Sequence, residues 1–389
     1  MINEKIIEKV IDKLSFVQLK SEIKEENSVK HFVIETQTKD GLSPLEWKVA
    51  ISPSYPFKID DKEPINFFNT SLKTYPHIMR SGFVCLHTPK VEDAETQFLI
   101  DLSRLKEWID KYYIRKEKDN HYEELVVERK LIDDIYYNFF YTNTSNEFLH
   151  GDYGTVDLVM LVPGCHDGKR MNTFLANTFN SKVHNAQYCC QWEQGMKRQI
   201  KFEGIYCFLD KAPSVYDKFI IELYTDMSSL FSWSQMEFLK MWSQKKNEAK
   251  RVPLFCGYKI PSGETRWQVA MLKANDFPIK SEKTRCGGRS IINNTFKKTL
   301  IDWATTYNCS YNYFFGRGSL PSKVAEKKIL IIGIGAIGSM VATTLVRCGA
   351  KYLDYYDIDL KEPGNICRSD YDFLSGISDK VYELSNILH

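Results

Sequence analysis

The sequence predicts a multidomain chain mixing α/β and α+β architecture, and three observations carry that expectation. Near the C-terminus, the short apolar run at residues 329–332 leads directly into Gly333, Gly335 and Gly338, then a helical pattern over 339–348 and a second strand ending at Asp357. The first hundred residues open on an amphipathic helix, residues 4–14, and continue in strands around 31–38 and 46–51. Between these ends, strand-like runs at 156–162, 202–209 and 267–272 alternate with polar and helical stretches such as 232–245, which predicts a mixed α/β middle. A chain of 389 residues, 43% hydrophobic, is long enough for two or three domains that each bury a core.

Charge and apolar patterning exclude several function classes. Lys and Arg total 52 against 50 Asp and Glu, so no basic excess points to nucleic acid or an anionic membrane. No apolar segment approaches the ~20 residues of a membrane span, and MINEKIIEKVIDKL is a charged amphipathic helix rather than a signal peptide. A soluble, cytoplasmic protein is expected. The ten cysteines are scattered without a CxxC pair, so neither a zinc ribbon nor a disulfide framework is indicated and no metal ligand is assigned. Adjacent Cys189 and Cys190 would point to opposite faces of a strand, and Cys165 beside His166 has no second half-site.

The first domain is expected over residues 1–136. After its strands come Tyr55-Pro56-Phe57, a long loop, then Tyr75-Pro76-His77 and Gly82-Phe83-Val84-Cys85-Leu86. A helix before a strand meander, with these three motifs in this order, resembles a ubiquitin-conjugating enzyme. The resemblance implies that Cys85 is the nucleophile that carries a thioester. It also implies an oxyanion donor where the family has Asn and this chain has His77; an imidazole N–H can donate there. His87, just past the cysteine, is a candidate for deprotonating the incoming amine. Both histidines also read as ordinary polar loop residues, and Cys85 as a core thiol, although Gly82 permits an unusual backbone turn beside it. Phe98, Leu99, Leu102, Leu105, Trp108, Ile109 and Tyr112 then recur at helical spacing and predict a helix packed across the sheet. The charge-rich IRKEKDNHYEEL marks the end of this domain or a helix leading out of it.

The middle domain, residues 137–319, has no internal repeat, low-complexity tract or Gly/Ser linker. Gly287-Gly288 follows no apolar strand, so no phosphate is placed there. Structural spacing or docking of a protein substrate is the expected role.

In the third domain, residues 320–389, the glycine turn would set a phosphate against the positive end of a helix, and Asp357 stands where a ribose hydroxyl is usually held. The continuation DIDLKEPGNICR, with Asp359, Asn365, Arg368 and the later Lys380, resembles the Rossmann-like adenylation domain of the ThiF/MoeB and ubiquitin-activating family, with Ser369 where the family has Gln. That resemblance implies ATP as cofactor, Asp357 on its ribose, and Arg368 and Lys380 on the triphosphate. Mg²⁺ is expected with the complete domain, whose further Asp would lie beyond His389; the adenylation half is therefore expected to be incomplete, a fragment or completed in trans. The alternative reading makes Arg368 and Lys380 solvated charges and the glycines an NAD site or an inactive nucleotide fold.

A conjugating-type domain joined to an adenylation domain resembles bacterial fusions of these modules, as in type II CBASS antiphage operons. The resemblance implies ATP-dependent adenylation of a partner's C-terminus, transfer to a cysteine thioester and ligation to an acceptor amine. The partner would be the tail of a cGAS-like nucleotidyltransferase or a ubiquitin-like protein, the product would prime second-messenger synthesis, and a homodimer through the adenylation domain is possible. Two other classes stay open: activation of a sulfur-carrier protein of ThiF/MoeB type, and a non-catalytic scaffold binding such a tail.

Overall fold

A computed structural model describes residues 2–38, 42–59, 62–79, 81–86, 88–119, 127, 129–191, 201–213, 220–232, 235–236, 251–273, 279–284, 287–292, 298–374 and 376–388. They fall into two compact units, one up to Asn308 and one from Cys309 onward.

The first unit begins with helix α1 (Glu4–Asp12), whose start is capped by Asn3, the side-chain oxygen accepting the Ile6 N–H at 3.0 Å. Ile7, Val10 and Ile11 share one face and are buried. Strands β1 (Val17–Leu19), β2 (Lys24–Glu26), β3 (Val29–Thr36), β4 (Leu45–Ile51) and β5 (Ile65–Phe68) form an antiparallel sheet in the order β1-β3-β4-β5, with β2 also on β3. In β4, Leu45, Trp47, Val49 and Ile51 alternate inward, as the two-residue period of a half-buried strand requires. Trp47 is fully buried and its indole N–H donates to Thr36 Oγ1 at 3.1 Å.

Helix α2 (Ala94–Trp108) starts on an Asp93 cap and lays Phe98, Leu102, Leu105 and Trp108 into the same core as the sheet. Trp108 meets Trp47 edge to face at 5.7 Å. The helix continues as a π-helical turn, Ile109–Ile114. The helix, meander and packing helix thus follow in the order the sequence suggests.

The rest of this unit is strand-dominated. Its strands are β6 (Leu131–Ile132), β7 (Ile135–Tyr141), β8 (Tyr153–Met160), β9 (Gly164–His166), β10 (Lys169–Ser181), β11 (Gln187–Cys189), β12 (Lys201–Phe208), β13 (Val252–Lys259), β14 (Thr265–Leu272) and β17 (Trp303–Asn308). The pairing order β10-β8-β12-β13-β14-β17-β7 returns to β10, so seven strands close into a barrel. The ring is mixed: β7 runs parallel to β10 and β17, β12 parallel to β13, and its other pairs are antiparallel. One side of the sheet buries Phe139, Phe148, Phe179, Tyr206, Phe255 and Trp267 in a single aromatic cluster. Other strand side chains, Ile205, Cys207, Leu254 and Cys256, pack with helix α3 (Ile220–Leu230). β15 (Ile279–Thr284) and β16 (Gly287–Ile292) form a separate two-stranded antiparallel sheet, which places the paired glycines at the start of a strand.

Three expectations meet this fold differently. The boundary drawn at 136 falls inside β7, and the division after Asn308 precedes the one drawn at 319. The expected helix over 232–245 lies mostly outside the described residues. No described helix is long and apolar enough to cross a membrane.

The second unit contains β18 (Lys328–Ile332), helix α4 (Ala336–Arg347), β19 (Tyr352–Tyr356) and helix α5 (Lys380–Leu388). β18 and β19 pair in parallel from Lys328↔Tyr352 to Ile332↔Tyr356. Ile331, Leu353 and Tyr355 face a small core with Ile334, Ala342, Tyr371 and Leu384, whereas Leu330, Ile332 and Tyr356 on the alternate face are exposed.

Candidate functional site

The candidate residues fall into two sets, and each is built by local backbone constraints. The first surrounds Cys85. Three backbone hydrogen bonds tie residues 77–79 to residues 82–85: Cys85 N–H donates to the His77 carbonyl at 2.7 Å, Met79 N–H to Phe83 O at 2.7 Å, and Gly82 N–H to Met79 O at 2.7 Å. Gly82 has φ +90°, and a Cβ there would stand 3.0 Å from the Thr70 Cα, so this turn requires glycine twice over. His77 also adopts a left-handed conformation, φ 62°, which His, Asn and Asp tolerate better than most residues. Trp108 ties the loop to α2 through an indole N–H donated to the Pro76 carbonyl at 2.9 Å.

The His77 ring is engaged on its far side. Its Nε2 lies 2.6 Å from Asp119 Oδ2, and the Tyr112 hydroxyl donates to the same oxygen at 2.8 Å. Burial, then the Asp119 hydrogen bond, raises the Tyr112 phenol above its ordinary range, so it stays a donor. In this arrangement Nε2 serves Asp119 rather than an oxyanion, and the Cys85 N–H is likewise committed. The position proposed for His87 lies outside the described residues.

A buried carboxylate supports the segment after the cysteine. Asp101 accepts the Tyr55 hydroxyl at 2.7 Å and the Gln97 amide at 2.9 Å, while Gln97 Oε1 accepts the Val91 N–H at 2.8 Å. Desolvation raises the Asp101 pKa, opposed by hydrogen bonds from Tyr55, Gln97 and Thr88 and by the charge of Lys90. Sequence reasoning did not single out Asp101, Asp119 or Gln97; they reach the loop through tertiary contacts that no local pattern marks.

The second set surrounds the glycine turn. Gly333 has φ +85°, and a Cβ on Gly338 would lie 1.9 Å from the Gly333 carbonyl oxygen, so the helix can approach the turn only as glycine. Gly335 caps α4, and a Cβ there would meet nothing within 4 Å. Ile334, between them, is held at both ends: its N–H donates to Asp357 Oδ2 at 2.8 Å and its carbonyl accepts the Tyr371 hydroxyl. Burial penalises the Asp357 charge, but N–H donors from Asp359 and Ile334 and the Lys380 ammonium outweigh it and hold the pKa below the usual carboxylate range.

Lys380 Nζ stands 2.9 Å from Asp359 Oδ2 and 3.9 Å from Asp357 Oδ1. Asn365 accepts the Glu362 N–H at 2.9 Å and so shapes the turn of the short helix Pro363–Ile366. Arg368 is exposed after that helix and makes no ion pair with the described residues. The structure thus brings Gly333, Asp357, Asp359 and Lys380 together. A further pair was not anticipated: Lys361, fully buried, donates to the Asp372 carbonyl at 2.7 Å and pairs with Glu383 of α5 at 3.1 Å.

Residues 311–370 match the ThiF family model. The matched stretch spans the β18–glycine turn–α4–β19 unit, Asp357 and Arg368. An "ATP-dependent ubiquitin transferase-like protein Cap2" of Enterobacter hormaechei subsp. hoffmannii is 38% identical over 68 residues, 18% of this chain and 11% of that protein. The "Uncharacterized protein y4oA" of Sinorhizobium fredii is 47% identical over 47 residues, 12% of this chain and 8% of that protein. The chain therefore spans a small part of the length of these curated relatives.

The ThiF-matched residues fit the phosphate and ribose of a nucleotide. The open approach at Gly335 leaves the N–H groups at the start of α4 accessible to phosphate oxygens. Asp357 is held ionised at the end of β19, and Arg368 adds a cation clear of any described carboxylate. For Mg²⁺ the described residues fit less well: they contain no cluster of three His, Cys, Asp or Glu side chains arranged for a metal, and Asp359 is engaged by Lys380.

Proposed function

We propose that this chain takes part in ATP-dependent activation and conjugation of a ubiquitin-like C-terminus, with the ThiF-matched unit holding the nucleotide and Cys85 receiving the activated acyl group. The observation that carries the reading is the closure of Asp357 on the backbone of the glycine turn inside the segment matched to ThiF. ATP supplies an adenylate leaving group for an otherwise unreactive carboxylate. Gly335 and the first N–H groups of α4 would bind phosphate, Asp357 would orient the ribose, and Arg368 would stabilise charge growing on phosphate oxygens. Lys380, freed from Asp359, would join Arg368.

At the second site, the Cys85 thiolate would attack the activated carbonyl and hold the acyl group as a thioester, splitting one difficult transfer into two easier steps. An acceptor amine would then displace Cys85. The name of the Cap2 relative favours a bacterial ubiquitin transferase-like role, and we extend this to the tail of a cGAS-like nucleotidyltransferase in antiphage defence as the partner to test first.

The experiment is to incubate the chain with Mg-ATP, an activating module and a tagged candidate tail. A thiol-labile adduct on Cys85 is expected, and Cys85→Ser should give a thiol-resistant ester or none. An adduct of wild-type intensity on Cys85→Ala overturns the assignment.

A further inference from the structure

Asp119 lies 42 residues along the chain from His77, outside both sequence motifs of the cysteine loop, yet its carboxylate stands 2.6 Å from the His77 ring, the shortest side-chain hydrogen bond of that ring among the described residues. The side chains of His77 and Asp119 are 15% and 13% exposed, so water screens this contact weakly. Tyr112 completes the cluster: its hydroxyl bonds Asp119, stands 3.3 Å from the same His77 nitrogen, and its ring centroid is 5.3 Å from the imidazole. Tyr112 sits on the π-helical turn, whose wider hydrogen-bonding step re-aims side chains relative to an α-helix. At the other end of the same residue, the His77 carbonyl accepts the Cys85 N–H. Between these two anchors, the backbone of residue 77 is left-handed, a conformation that persists where its surroundings hold it.

We propose that Asp119 is a positioning residue for Cys85: it anchors the imidazole of His77 through Nε2, the anchored ring holds residue 77 in its left-handed conformation, and the His77 carbonyl thereby fixes the backbone of the cysteine. The inference rests on the reading of Cys85 as the acyl carrier. In this proposal Asp119 acts through His77. An Asn at position 77 keeps the left-handed backbone but is too short to reach Asp119, so the two substitutions should not add.

The test is a double-mutant cycle of Asp119→Ala and His77→Asn in the full chain. Cys85 is loaded without ATP by a Gly-Gly-ending peptide carrying a mercaptoethanesulfonate thioester. The Cys85 thiolate attacks the carbonyl and expels mercaptoethanesulfonate; lysine then attacks the Cys85 thioester, forming the amide, releasing the Cys85 thiolate and losing a proton to buffer. Peptide mass mapping assigns the site, because Cys165 and Cys367 are exposed whereas Cys85 is half-buried. With His77 present, Asp119→Ala is expected to slow lysine discharge about tenfold, and in the His77→Asn background less than about twofold. Asp119→Asn, which keeps an oxygen for Nε2–H and the Tyr112 hydroxyl, should retain most of the rate.

An equal loss in both backgrounds, or no loss with His77 present, overturns the proposal. If wild-type Cys85 does not load from the peptide, the acyl-carrier reading fails by itself. The iodoacetamide alkylation rate of Cys85 in the same four proteins then judges the anchoring: a change of about threefold or more on Asp119→Ala with His77 but not Asn supports it, and uncoupled effects reject it.

Discussion

Replacing Gly338 and Gly335 separately by Ala should divide the fold of the glycine turn from its chemistry. At Gly338 the added Cβ would begin 1.9 Å from the Gly333 carbonyl oxygen and 2.9 Å from its carbon. Ordinary contact begins near 3.4 Å, so α4 must retreat from the turn by roughly 1.5 Å. The obstacle is backbone and cannot swing aside, which places the cost at the upper end of overpacking, about 3 kcal/mol. For a unit the size of Cys309–His389 that corresponds to a fall in Tm of roughly 12–24 °C. At Gly335 the same methyl meets no atom within 4 Å and φ is −70°, so stability should change by less than about 0.5 kcal/mol. The methyl would instead stand where a phosphate approaches the helix N–H groups, and ATP affinity should fall about tenfold or more. Hydrogen exchange of peptides spanning 328–347 in the full chain reads stability, and a fluorescent ATP analogue reads binding. Undiminished protection in Gly338→Ala, or loss of protection in Gly335→Ala, would refute the assignment of packing to one glycine and ligand approach to the other.

Other perturbations have expected outcomes as definite. Gly82→Ala, facing Thr70 at a φ of +90°, should destabilise the first unit by about 2 kcal/mol in urea titration and alter the alkylation rate of Cys85. The depressed pKa of Asp357 means that its stabilisation is complete above the unfolded carboxylate value and is lost as pH falls through the folded one. Exchange protection at Ile334 should therefore decline as pH is lowered from about 5 to below about 3.9, a decline that Asp357→Asn abolishes along with some protection at pH 7. Lys361→Ala should cost about 3–5 kcal/mol by removing the buried ammonium that pairs with Glu383, whereas Lys361→Met with Glu383→Leu should recover most of that loss in thermal unfolding.

Legibility in the sequence followed the range of the interaction. Gly333, Gly338 and Gly82 were readable because a residue type alone reports a backbone demand, and the structure shows that demand as positive φ or forbidden space. The alternation of β4 and the apolar stripe of α2 were readable for the same local reason. Asp119 was hidden in a charged run, Asp101 within the helix that follows the cysteine loop, and Lys361 beside Glu362 in a loop; each gains meaning only from a partner distant in sequence. Helix α3 was missed because its segment, IIELYTDMSSL, begins as a β-branched apolar run that also suits a strand. Barrel closure was unreadable because no local pattern records which strands become neighbours.

That closure sets an order of events during synthesis. Strand β7 is among the first barrel strands to leave the ribosome, and it lies between β10 and β17. Its pairing with β17 must wait for roughly 170 further residues, on the order of ten seconds or more at typical elongation rates. During that interval Phe139 and Tyr141 have no completed wall to enter, and one edge of β7 can recruit another chain. A nascent polypeptide stalled before Trp303 should therefore engage chaperones strongly, and release into the folded state should come abruptly once β17 has emerged.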